Sequence, residues 1–202
     1  MISFKHKKVI VFDLDGTIVR LPVNWGHLKK LLTKRFKDVY NETCEFVHIT
    51  ACLDQVVDKD DEAELQNFFN MLEDYEMKTI NENENVKETI FFINNLNMFN
   101  VPNDIKLAVF SLNTRKTIIE SLKLAGIYEK IDYIVGREDL RKWKPNPEGL
   151  LKIRDHYDVK KEEMIYIGDL EKDVITGKNA GIEAYLIDEI INLVNEKRLE
   201  TT

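Results

Sequence analysis

Asp13 and Asp15 stand two residues apart, directly behind the apolar run Val9-Ile10-Val11-Phe12 and ahead of Gly16-Thr17. A third acid, Asp169, follows Met164-Ile165-Tyr166-Ile167 through Gly168, with Asp173 a helical turn further on. Ser111-Leu112 follows Leu107-Ala108-Val109-Phe110, and Lys144-Pro145 lies ahead of the Met164 run. Carboxylate oxygens are hard donors of the kind Mg²⁺ prefers. Several carboxylates in one crevice repel one another, and a divalent cation with a lysine relieves that repulsion and prepares the crevice for an anionic phosphate. Ser111 adds a hydroxyl donor and Lys144 a point charge. The helix beginning near Thr114 adds backbone N–H groups and a favourable dipole. Each residue also has a plainer use. A lone strand-end Asp caps turns, Asn113 or Thr114 suits a helix N-cap, and Asp173 suits a first helical turn. It is the second acid two residues on, followed by Gly-Thr, that moves the balance to chemistry, because a turn rarely needs both carboxylates.

These residues share a position as well as a chemistry. Continuous apolar runs suit strands buried on both faces of a parallel sheet, and ligands of open α/β sheets bind beyond the carboxyl ends of such strands. Tyr133-Ile134-Val135 and Ala184-Tyr185-Leu186-Ile187 bring the set of runs to five. Helical stretches separate the later runs, as from Thr114 to Ala125 with Gly126 just past the end. From His27 to Val101 there is no glycine or proline, whereas all eight glycines and four prolines lie outside that window. The window has helical period: Leu28, Leu31, Leu32 and Phe36; Ile49, Leu53 and Val56; Leu65, Phe68, Phe69 and Leu72; Val86, Ile90 and Ile93. The pattern predicts an α/β core over residues 1–20 and 102–202 and a helical insertion over 21–101, with four helices between Val23 and Asn100.

Composition excludes several classes. With 29 Lys and Arg against 36 Asp and Glu the formal net charge is −7, a poor basis for general nucleic-acid binding, so no nucleic-acid partner is expected. No apolar run approaches a membrane span, and Met1 to Lys8 lacks a signal-peptide core, so a cytoplasmic protein without membrane association is expected. Four scattered histidines argue against a His-based zinc site. Cys44 and Cys52 are read as reduced packing thiols. Arg20 to Lys37 holds six cations and no acid, and Asp54 to Glu76 nine acids and one lysine; both are read as solvated helix faces. Trp25 and Trp143 are read as core or rim packing, with Arg20 and Trp25 as candidates for substrate contact.

Phe12-Asp13-Leu14-Asp15-Gly16-Thr17 resembles the first motif of the haloacid dehalogenase-like hydrolases. Ser111 resembles that family's second motif, Lys144-Pro145 its third, and Gly168-Asp169 with Asp173 its fourth, all in family order. The resemblance implies a Rossmann-like parallel sheet with an inserted helical cap, as in the phosphoglycolate-phosphatase-like members. It implies a Mg²⁺-dependent phosphatase acting on a small phosphorylated metabolite. Asp13 would be the nucleophile, forming an aspartyl-phosphate, and Asp15 the acid and base. Mg²⁺ would be held by the Asp13 carboxylate, the Asp15 backbone carbonyl and Asp169. Ser111, the backbone N–H of Leu112 and Lys144 would hold the phosphoryl group, with Asp173 behind them as a positioning or water-mediated ligand. Leu112 and Leu170 stand where the family more often has smaller residues. A phosphomutase using the same intermediate, or a non-catalytic phosphate-binding module, are the competing expectations. The sequence leaves the oligomeric state open.

Overall fold

A computed structural model describes residues 2–200; Met1, Thr201 and Thr202, at the ends of the expected core segments, lie outside the described residues. The chain opens with strand β1 (Val9–Phe12) and a two-residue strand β2 (Val19–Arg20). Helices α1 (Trp25–Tyr40), α2 (Ile49–Asp58) and α3 (Glu62–Met77) follow, then a second two-residue strand, β3 (Glu84–Asn85), and α4 (Lys87–Asn94). The remainder alternates: β4 (Lys106–Phe110), α5 (Arg115–Leu124), β5 (Tyr133–Val135), α6 (Glu148–Tyr157), β6 (Met164–Gly168), α7 (Glu171–Ala180), β7 (Glu183–Leu186) and α8 (Asp188–Glu200).

Five strands form one parallel sheet in the order β5-β4-β1-β6-β7. β1, the most central, is fully buried along its length, which is why its sequence is apolar without alternation. It pairs through Phe12 with Val109 on one side and Ile167 on the other. Continuing that register by two residues sets Leu14 level with Ser111 and Asp169. The expected α/β architecture and all five expected strands are present.

The insertion differs from its expectation in one helix. α1, α2 and α3 pack together through Leu28, Leu32, Phe36, Leu53, Val56, Phe68 and Leu72. Asn24 Oδ1 caps α1 by accepting from the His27 N–H at 3.0 Å, and Asp61 Oδ1 caps α3 by accepting from the Glu64 N–H at 3.0 Å. With no glycine available, left-handed backbone at Asn41, Phe46 and Asp60 turns the chain between these helices. α4, expected as a fourth cap helix, lies instead against α8 on the core. Its Phe92 packs on Phe4, Phe12 and Phe99, so its apolar face completes the far side of the sheet. Helical period alone marks an apolar face, not the surface that receives it.

Two further expectations are corrected. Cys44 and Cys52, expected as reduced thiols, are joined in a disulfide across Cα atoms 5.9 Å apart, a separation within ordinary disulfide range. The acids from Asp54 to Glu76 do not all face solvent: Glu64 and Glu76 are buried. Glu64 accepts from Arg35 Nε and Nη2 at 2.6 and 2.7 Å, tying α3 to α1. No described helix is long and apolar enough to cross a membrane.

Candidate active site

The strand ends deliver the site. Asp13 extends the ladder beyond β1, its N–H donating to Ile167 O at 2.8 Å, and Ser111 does the same beyond β4, donating to Val135 O at 3.1 Å. Asp13, Asp15, Ser111, Leu112, Lys144, Asp169 and Asp173 all line one cavity of about 150 Å³. The sequence-predicted site residues are thus brought together.

Lys144 is the hub. Its ammonium is buried and donates to Asp13 Oδ1 at 2.7 Å and to Asp173 Oδ1 at 2.9 Å. It also lies over the rings of Phe110 and Tyr166, 4.6 and 5.3 Å from their centroids. The loop that carries it is held on both sides. Trp143 donates its indole N–H to Arg137 O at 2.9 Å, and Glu148 accepts from the N–H groups of Arg141 and Lys142. Burial would lower the Lys144 pKa, but the Asp13 and Asp173 charges outweigh it and raise it, so the lysine stays cationic. Burial pushes Asp173 up, yet Lys144 and the hydrogen bonds from Tyr166 Oη and the Leu170 N–H hold it below the usual carboxylate range. Asp13 is raised, because its burial outweighs Lys144.

Asp13, Asp169 and Asp173 each bring a carboxylate oxygen within 4.8 Å of the other two. Burial, then the Asp13 and Asp173 charges, push Asp169 up to about 6. Its Oδ1 is buried and has no hydrogen-bond partner. A buried carboxylate oxygen without a donor is costly, and a hard divalent cation is the partner its chemistry fits. Gly16 makes the approach possible: a Cβ there would stand 2.2 Å from Asp169 Oδ2, and its φ of +80° suits glycine. Asp173, expected behind the ligands, stands among the three converging carboxylates. The Asp15 carboxylate is not one of the three; its Oδ1 accepts from the Leu21 N–H at 2.9 Å. Burial pushes Asp15 up to about 6 against that hydrogen bond, with the Asp13 and Glu76 charges adding to the rise.

Two residues of this region escape the sequence reading. Glu76, fully buried on α3, accepts from Asn113 Nδ2 at 3.0 Å and from the Thr114 N–H and hydroxyl at 3.1 Å each. Thr114 is the N-cap residue of α5, one of the two expected, but its side chain makes no capping hydrogen bond, and Glu76 of the insertion accepts from its N–H instead. A signal was present, since position 76 continues the stripe Leu65, Phe69, Leu72 by one turn. Arg137 follows β5 and lines the cavity, and it is legible as a strand-end residue once that strand is read like the others. Of the residues named for substrate contact, Trp25 lines the cavity, whereas Arg20 pairs in the β2–β3 ladder and does not. The basic run points mainly outward, although Lys29 borders the adjoining recess.

Residues 10–187 match the family described as haloacid dehalogenase-like hydrolase. The chain is 42% identical over 82 residues to pyrophosphatase PpaX of Halalkalibacterium halodurans, a match covering 41% of this chain and 38% of that protein. To pyrophosphatase PpaX of Bacillus cereus it is 27% identical over 177 residues, covering 85% of this chain and 79% of that one. Among solved structures, a putative haloacid dehalogenase-like hydrolase from Bacteroides fragilis superposes with a TM-score of 0.61 at 22% identity, over 88% of this chain and 86% of that one.

Proposed function

The chain belongs to the haloacid dehalogenase-like hydrolases, and on that footing we propose that it is a Mg²⁺-dependent phosphatase of small phosphorylated metabolites working through an aspartyl-phosphate. What carries this reading is the convergence of the Asp13, Asp169 and Asp173 carboxylates beside a buried Lys144, with one Asp169 oxygen left unpartnered.

Asp13 attacks the substrate phosphorus; the bond from phosphorus to the leaving oxygen breaks, and Asp15 donates its proton to that oxygen. Asp15, now a carboxylate, takes a proton from water as that water attacks the aspartyl-phosphate. Inorganic phosphate leaves and Asp13 is restored. A carboxyl pushed up to about 6 is poised for both halves of this cycle near neutral pH. Lys144, the Ser111 hydroxyl and the Leu112 N–H offset the charge that builds on the phosphoryl oxygens. Mg²⁺ would be held by Asp13, Asp169 and the Asp15 carbonyl, with Asp173 positioning Lys144, and would neutralise phosphoryl charge when bound. The insertion, over about residues 21–83, covers the site as a cap and keeps bulk water out. Because the chain is similar to proteins named pyrophosphatase, inorganic pyrophosphate is worth testing beside phosphomonoesters.

The purified protein should release phosphate from p-nitrophenyl phosphate or a phosphometabolite panel with Mg²⁺ and lose that release in EDTA. Asp13→Asn should cost at least about a thousandfold in kcat while circular dichroism stays unchanged. An Asp13→Asn protein as active as the parent would overturn the mechanism.

A further inference from the structure

Beside the acid cavity lies a second recess of about 460 Å³, and the two share Trp25, Leu112, Arg137, Lys144, Leu170 and Lys172 in their walls. Their charges differ: the first sets four aspartates beside the shared Arg137, Lys144 and Lys172. The second has Lys29, Arg137, Lys144 and Lys172 in its wall and no aspartate or glutamate. A substrate whose phosphoryl group sits at Asp13 would extend its leaving group into that cationic recess.

Arg137 stands at the junction. Its backbone is fixed at both ends: its N–H donates to Asn113 O at 3.0 Å, and its carbonyl accepts from Trp143 Nε1 at 2.9 Å. It is thereby tied to the loop bearing Ser111 and the loop bearing Lys144. The residue is 3% exposed, and both Nε and Nη1 are buried without a hydrogen-bond partner. The carboxylates that most influence it, Glu76 and Glu138, are committed elsewhere. Glu76 accepts from Asn113 and Thr114, and Glu138 from the Arg115 N–H. An arginine cannot shed its proton, so a walled-in guanidinium without an acceptor is expensive to keep. Such a group makes sense where its anion arrives with a ligand.

We infer that Arg137 is the receptor for a second anionic group carried by the leaving group, so that the preferred substrates are phosphate compounds with a further phosphate or carboxylate on the departing side. This inference rests on the hydrolytic reading above for which end of the substrate reacts, but the binding it describes does not require turnover. Lys172, in the wall of both spaces, adds a second cation to the same receptor.

Thermal shifts in excess Mg²⁺ test the binding with three probes: methylphosphonate, methylenediphosphonate and phosphonoacetate. The protein should be stabilised more by at least one of the last two than by methylphosphonate, and which one identifies the second group as phosphate or carboxylate. Arg137→Met should erase that difference while the ligand-free Tm stays level or rises, since an unpaired buried charge has been removed. Turnover tests the consequence. Arg137→Met should lower kcat/KM for the matching substrate, inorganic pyrophosphate or a phosphorylated hydroxy acid, by about 10- to 100-fold, chiefly through KM. The fall on p-nitrophenyl phosphate should be smaller than on the matching substrate, and Arg137→Lys should recover part of the loss. Equal losses on every substrate, a fall in ligand-free Tm, or an unchanged preference for the two-charge probes would overturn the inference. Arg137-dependent probe binding by a protein that hydrolyses nothing would sink the phosphatase reading instead and sustain the receptor.

Discussion

Gly16 and Asp169 meet so closely that the smallest side chain separates them. Gly16→Ala would place a methyl group against a carboxylate at a backbone angle that disfavours any Cβ. The substitution should cost about 1–3 kcal/mol in urea unfolding and weaken Mg²⁺-induced stabilisation, read as a smaller Tm shift on adding the ion. Tyr166→Phe removes the hydroxyl that donates at 2.8 Å to Asp173 Oδ1, the oxygen that also accepts from Lys144. It should cost about 1–2 kcal/mol, as loss of a hydrogen bond to a charged group does. At this scale much of the site was legible in the sequence. Asp13, Ser111 and Asp169 each follow an apolar run, and a parallel sheet brings such positions to one edge. Glu76 was not, because its role arises from Asn113 and Thr114, 37 and 38 residues away in the chain. Its acidic surroundings also look like a solvated face until the helix is packed.

The same distinction holds for whole elements. α1 and α3 were legible from period, but not the caps Asn24 and Asp61, nor the pairing that locks the two helices, Arg35 with Glu64. That pairing gives a pH signature. The guanidinium of Arg35 and the amide of Asn67 hold the Glu64 carboxyl below its usual value despite its burial. A depressed folded pKa means the contribution is present above the unfolded value of about 4.5 and is lost as pH falls through the folded one. Glu64→Gln should therefore destabilise by about 1 kcal/mol at pH 7, discounted because Arg35 is 42% exposed. The gap to the parent should close as the pH falls below 4.5 and through the lowered folded value. If the gap stays constant with pH, packing and not charge holds the pair. α4 makes the opposite case. Its periodicity was clear and its placement was not, since Phe92 and Ile93 could serve any apolar surface. Its place on the core predicts that Phe92→Ala costs about 3–5 kcal/mol and shifts the unfolding of the sheet itself.

Over the whole molecule, the insertion meets the core at several points. Phe69 packs edge-on against Trp143, the α3 flank faces α5, and Glu76 supplies the buried polar tie. Glu76→Ala strands the donors of Asn113 and Thr114 and should cost about 1–3 kcal/mol per unmet group. The loss should be read as faster amide exchange in both α3 and the start of α5, at opposite ends of one contact. Exchange that rises in α3 alone would show that the tie does not couple the two parts.

The β2–β3 ladder has a consequence for how such a protein can be built. Arg20 lies directly opposite Glu84, so the chain departs and returns through neighbouring antiparallel positions. A two-residue Asn-Gly turn spans such a pair without strain. Joining Arg20 to Glu84 in that way would delete the three-helix module in one cut and leave every strand of the parallel sheet with its partners. The module is thus exchangeable: a different helical insertion spliced at the same two residues would leave the acidic strand ends unchanged.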